Sequence, residues 1–117
     1  MAIEVSSAVI ETLLAEAHAA APNECCGLLF GEEDRIEVAA PTRNVHSDPE
    51  SHFEIDPKAL IDAHRDARSG GIRLTGYYHS HPNGLAEPSA TDRAMADADG
   101  LIWAIVAAGR EIGRAHV

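Results

Sequence analysis

A chain of 117 residues holds one domain's worth of core, and 45% hydrophobic with 24% charged residues is the composition of an ordinary globular protein. Nineteen acids against nine Lys and Arg leave a formal charge of −10, which argues against nucleic acid, since phosphate binding is driven by basic residues that release counterions. The longest apolar run, Leu101 to Ala108, is too short for a bilayer and the acidic N-terminus lacks a secretory pattern, so a cytoplasmic enzyme or binding module is expected, with no membrane partner.

No repeat or linker interrupts the chain, so a single domain over 1–117 is expected. The N-terminus reads as the start of a helix. Ser7 to Ala21 carries Ile10, Leu13, Leu14 and Ala17 at helical spacing, with Ser6 or Ser7 as cap and Pro22 beyond its end. Cys25 to Phe30 is a short apolar run closed by Gly31, read as a buried strand with Glu24 at its mouth. Arg35 to Ala40 alternates and is its hairpin partner. The adjacent Cys25 and Cys26 are too close for an unstrained disulfide and lack a C-x-x-C spacing, so they read as small half-buried residues in a reducing compartment.

Pro41 to Ser51 is polar and rich in turn formers, a long surface loop, and His52 to Ile55 is a brief strand. Asp56 before Pro57 starts a helix, with Leu60, Ile61, His64 and Ala67 on its apolar stripe and Gly70-Gly71 at its end. Ile72 to His79 is strand-like, and Gly76 within it allows close approach of another backbone. Pro82 to Pro88 is loop, Ser89 to about Asp99 helix, and Leu101 to Ala107 a central strand buried on both faces. Glu111 to Val117 is one more strand. Helices alternating with strands say mixed α/β, and do not by themselves say which fold.

The chemistry sits in His79-Ser80-His81. On an extended strand, residues i and i+2 point to one face roughly 6.5 Å apart, which suits two imidazoles converging on one metal. Taken alone, H-x-H is a weak motif in a chain with seven His. After His81 come seven residues and then Ser89-Ala90-Thr91-Asp92. This reads locally as a capping box with Ser89 at the N-cap, and equally as a device that aims Asp92 from the first helical turn at the two histidines. The readings are compatible. Two imidazoles, a carboxylate and a water make a catalytic zinc site.

These residues resemble the JAMM (MPN-plus) metalloproteases: Glu24 upstream, His79-Ser80-His81-Pro82, then Ser89-x-x-Asp92. Pro22 to Gly31, with its E-x-C-G segment, is similar to the small bacterial members, as are Phe53-Glu54-Ile55-Asp56-Pro57 and Gly76-Tyr77-Tyr78. The resemblance runs from about residue 8 to residue 108. It implies a mixed, curled β-sheet flanked by helices, the MPN (cytidine-deaminase-like) fold. It implies one zinc ion per chain on His79, His81 and Asp92, Glu24 as general base, and Ser89 as a hydrogen-bond donor to the developing oxyanion. The implied reaction is hydrolysis of an amide bond after the C-terminal Gly-Gly of a ubiquitin-like or sulfur-carrier protein. Such a thin tail can enter a groove lined by the Pro41–Ser51 and Pro82–Glu87 loops and add to a sheet edge.

Cys26 matches the family's cysteine and is expected to pack beside the site rather than ligate. His46 and His52, in or beside the polar loop, read first as loop residues, with a place facing substrate or behind the ligands as the lesser alternative; His64 and Trp103 read as core, while His18 and His116 carry no signal. A non-catalytic MPN scaffold, a partner-binding module without metal, is the alternative, although all five motif residues stand. The sequence stops apparently mid-strand at Val117, where relatives continue. Either it is a shortened or a naturally short form; an edge left open there would favour a homodimer.

Overall fold

The computed structural model describes residues 4–32, 34–82, 101–107 and 111–116, for the backbone only at 107 and 111–116. Its elements are β1 (Glu4–Val5), α1 (Ser7–Ala20), β2 (Cys26–Glu32), β3 (Arg35–Thr42), α2 (Pro57–Arg68), β4 (Arg73–His81), β5 (Ile102–Ala107) and β6 (Glu111–His116). The strands form one six-stranded sheet in the order β1-β3-β2-β4-β5-β6. Pairs β1–β3 and β4–β5 are parallel; the other three are antiparallel. The expected mixed sheet with helices on it is what forms.

Strand alternation, with a register shift that skips Thr75 of β4 where it pairs with Leu29 and Phe30, divides the core into two layers. Leu29 of β2, Tyr78 of β4 and Ile102, Ala104 and Val106 of β5 face α1, which buries Val9, Leu13 and Ala17 against them. Cys26 and Leu28 of β2, Leu74 of β4 and Trp103 of β5 face the other way, where Phe53 and Ile55 of the preceding loop and Ala63 of α2 cover them. A buried Leu such as Leu13 contributes about 1.5–3 kcal/mol through the water it leaves. All of Ile102 to Val106 is buried, because β5 lies between β4 and β6 and both its faces are covered.

Both helix starts follow their sequence signals. Ser6 Oγ accepts from the Val9 N–H at 3.2 Å, and Asp56 accepts from the Lys58 N–H at 3.0 Å with Pro57 at the first helical position. α2 ends at Ser69, and Gly70 takes a left-handed φ of 90°.

Four expectations need correction. The buried stripe of α1 is Val9–Leu13–Ala17, and Ile10, one position off it, is 38% exposed. His64 is exposed rather than core, because α2 turns Ala63 inward and His64 follows it by about 100°. Residues 4–5 form β1 instead of helix, drawn in by parallel pairing with Arg35 and Ile36. The brief strand over His52 to Ile55 is reduced to one bridge, Asn44 to Ile55. The helix expected over Ser89 to Asp99 lies outside the described residues.

Among the described residues, no helix is long and apolar enough to cross a membrane.

Candidate metal centre

The site lies where β2 begins and β4 ends. Their antiparallel register sets Cys26 opposite His79. One residue further out the ladder is replaced by a side-chain variant of itself. The Cys25 N–H donates to Ser80 Oγ at 2.7 Å, and the Ser80 N–H donates to the Cys25 carbonyl at 3.0 Å. Ser80 is fully buried, so its hydroxyl has no water to fall back on. These bonds hold the chain just before β2 alongside the last residues of β4, and that is where Glu24 sits.

Alternation then turns His79 and His81 to the same side of the sheet while Ser80 points to the opposite one. The two Nε2 atoms stand 3.1 Å apart, with the rings inclined at 61°. A carboxylate oxygen of Glu24 joins them: one ligand atom from each of Glu24, His79 and His81 lies within 4.8 Å of the others. Glu24 and His79 are buried and His81 is half-buried, so the cluster opens toward solvent on the His81 side.

The donor set suits zinc. Two nitrogens bound at about 2.0–2.1 Å in a tetrahedron would be about 3.3 Å apart, close to the 3.1 Å seen between the His79 and His81 Nε2 atoms. Imidazole and carboxylate are the ligands a catalytic site of this metal uses.

Aromatic neighbours fix the ring of His79. Phe53 stacks on the His79 ring, with centroids 4.3 Å apart and planes 15° from parallel. Trp103 meets the same ring edge-on at 6.5 Å and leans on Phe53 at 5.9 Å. Trp103 is thus core, as expected, at 4% exposure. Cys26 is the cross-strand neighbour of His79, and its Sγ lies 3.6 Å from both Thr42 Oγ1 and the Arg43 carbonyl. Burial pushes the Cys26 thiol up to about 11, with the Thr42 hydrogen bond opposing, so it is a neutral packing group. Burial also raises Cys25. Both cysteines are free.

The loop between β3 and α2 folds over the site's edge. His46 and His52 stack on each other at 4.8 Å, and His46 Nδ1 accepts from the Asp48 N–H at 2.9 Å. The Ser51 hydroxyl, followed by His52, holds the Asp48 carboxyl below its ordinary value. These histidines therefore build the loop. His18 is exposed on α1. Of the five motif residues, Glu24, His79 and His81 come together, whereas Ser89 and Asp92 lie outside the described residues. Sequence reasoning missed Phe53 and the buried Ser80 hydroxyl as supports, because both act through contacts with residues far along the chain.

The family model for prokaryotic homologs of the JAB domain matches residues 6–116. The chain belongs to that family. The match agrees with the resemblance of the motifs to the small bacterial JAMM (MPN-plus) proteins. Among its relatives, a desampylase of Haloferax volcanii is 38% identical over 86 residues, 72% of this chain and 62% of that protein. A probable TtuB-protein conjugate cleaving protease of Thermus thermophilus is 40% identical over 72 residues, 62% of this chain and 48% of its own length. The tail tip assembly protein K of Escherichia phage N15 is 35% identical over 97 residues, 83% of this chain but 37% of that protein. The chain thus spans less than two thirds of these relatives' length. The solution structure of protein DSY2949 from Desulfitobacterium hafniense superposes with a TM-score of 0.80 at 34% identity, covering 96% of this chain and 80% of that one. A JAB1/MPN domain protein from Archaeoglobus fulgidus shares the fold at TM-score 0.69 and 21% identity, covering 98% and 88% of the two chains.

Proposed function

We propose that this chain is a zinc-dependent hydrolase that cleaves an amide bond at the C-terminus of a ubiquitin-like or sulfur-carrier protein, with one zinc per chain. The observation that carries the reading is the convergence of Glu24, His79 and His81 at the open end of β4, with the imidazole nitrogens at metal-ligand separation. His79, His81 and Asp92 hold the metal. Bound there, zinc supplies Lewis acidity that lowers the pKa of water to about 7 and polarises a carbonyl. Glu24 takes the proton of the attacking water and returns it to the leaving amine. Ser89 donates a hydrogen bond where negative charge develops on the scissile carbonyl, an interaction of about 2.7–4 kcal/mol.

Relatives named for desampylation and for cleavage of TtuB conjugates support a conjugate of a small carrier protein as the substrate class. A Gly-Gly terminus, the thinnest tail a protein can present, is compatible with a cluster in which Glu24 and His79 are buried. Cytoplasmic residence, and pairing of two copies through the β6 edge, belong to the same proposal; sedimentation showing monomer alone at high concentration would remove the second.

Metal per chain, measured by elemental analysis of the wild type beside Asp92→Ala, tests the site. About one zinc in the wild type and little in the variant supports it, and incubation with a carrier–lysine conjugate then shows cleavage as a mass change. No metal in either, with zinc supplied, removes the hydrolase reading. The alternative, a non-catalytic scaffold or partner-binding module, has one observation in its favour: the phage relative is named for tail assembly. It predicts that metal-free protein does everything the intact protein does.

A further inference from the structure

The connection between β3 and α2 is organised by one side chain. A carboxamide has two donor hydrogens and room for two acceptor contacts, and Asn44 uses all four. Its Nδ2 donates to the Glu24 carbonyl and the His52 carbonyl, both at 3.0 Å. Its Oδ1 accepts from the His46 N–H at 3.1 Å and the Glu54 N–H at 3.0 Å. All four partners are main-chain groups of fixed polarity, so they dictate which end of the amide points where.

Glu24 lies just before β2, outside the sheet ladder. Its main chain is held by the loop instead. The Glu24 N–H donates to the Pro49 carbonyl at 2.7 Å, and the Glu24 carbonyl is the one that receives Asn44. The same loop seats Phe53 on His79. A single segment therefore touches both the residue that carries the proton and the ring that carries the metal, and Asn44 joins its two limbs.

We infer that Asn44 is a positioning residue: it fixes the backbone of Glu24 so that the carboxylate stands at a set place relative to the His79–His81 pair. The inference rests on the reading of Glu24 as the proton carrier. Proton transfer needs hydrogen-bond reach, and displacement of about 1 Å can cost roughly 100-fold in rate. Side chains that orient the working groups of metal sites typically contribute 10- to 100-fold.

Asn44→Asp separates the two halves of the device. The accepting half, toward His46 and Glu54, survives; the donating half is lost, and the Glu24 carbonyl meets a carboxylate instead of a donor. Asn44→Ala removes both halves. For Asn44→Asp the expected result is wild-type zinc content, KM within about twofold, kcat lower by about 10- to 100-fold, and faster hydrogen exchange at the Glu24 amide. Asn44→Ala shows at least the same loss of kcat. Unchanged kcat in both variants overturns the inference. So does a loss of zinc in proportion to kcat, which would make Asn44 a support of the metal site alone. If the wild type hydrolyses no conjugate, the proposed function fails by itself. Exchange at Glu24 then decides, and unchanged protection in Asn44→Asp overturns the positioning role.

Discussion

Gly76 of β4 is paired with Ile102 of β5, and replacing it tests the sheet that carries the site. A Cβ placed on Gly76 would stand 2.1 Å from the Ile102 carbonyl oxygen, 2.8 Å from its carbon and 2.9 Å from the Ile102 Cβ. The obstructing atom is backbone, so no side-chain rotation relieves it, and the strands must part by about 1 Å to restore ordinary contact. Neither can move freely: Gly76 is paired on its other side with Leu29 of β2, and Ile102 with His116 of β6. Overpacking of this kind costs about 1–3 kcal/mol, and a backbone clash belongs at the upper end. For a chain of this size about 3 kcal/mol corresponds to roughly 10–15 °C in Tm. Gly70→Ala is the comparison, since nothing lies within 4 Å of its added Cβ and only the left-handed φ of 90° opposes it. That should cost about 1 kcal/mol. Thermal and urea unfolding, followed by the fluorescence of the single Trp103, would measure both. The reasoning is refuted if Gly76→Ala unfolds at or above the temperature of Gly70→Ala.

Three further outcomes follow from the same coordinates. Ser80→Ala leaves the part-buried Cys25 N–H without its 2.7 Å acceptor and should cost about 1–3 kcal/mol in urea unfolding; a loss below about 0.5 kcal/mol would contradict that. Leu13→Ala should cost about 2–5 kcal/mol and Ile10→Ala well under half as much, since Leu13 is 2% exposed and Ile10 38%; equal losses would mean that α1 is rotated from its described position. Cys26, with its thiol pushed up to about 11, should resist iodoacetamide in native protein near pH 8 and react at an ordinary rate once unfolded in urea. Equal native and unfolded rates, read by peptide mass, would contradict its burial.

Legibility in the sequence followed the range of the forces involved. The caps at Ser6 and Asp56 act over two or three residues and were readable as such. The apolar run ending at Ala107 said buried strand, and Gly76 said close approach, because both are local consequences of packing density. The face of a helix is less local. Ile10 and His64 each stand beside the buried stripe, within the width that periodicity alone tolerates, and only the sheet beneath decides which neighbour turns inward. β1 was invisible for a stronger reason: two residues have no periodicity, and their pairing partners Arg35 and Ile36 lie thirty-one positions away.

The site divides along the same line. His79 and His81 share a face by strand alternation, so their partnership is written into three consecutive residues. The place of Glu24 is not. It depends on the register of β2 against β4, Cys26 opposite His79, and a slip of one residue would turn its neighbours to the other face of the sheet. What holds that register at the site's end is the Ser80 hydroxyl, which the alternation that pairs the two histidines sends to the opposite face, together with the loop bonds to both main-chain groups of Glu24. The intervening serine of His79-Ser80-His81 thus has work of its own. One face of the tripeptide brings two imidazole nitrogens together beside Glu24, and the other fastens the strand that carries that carboxylate.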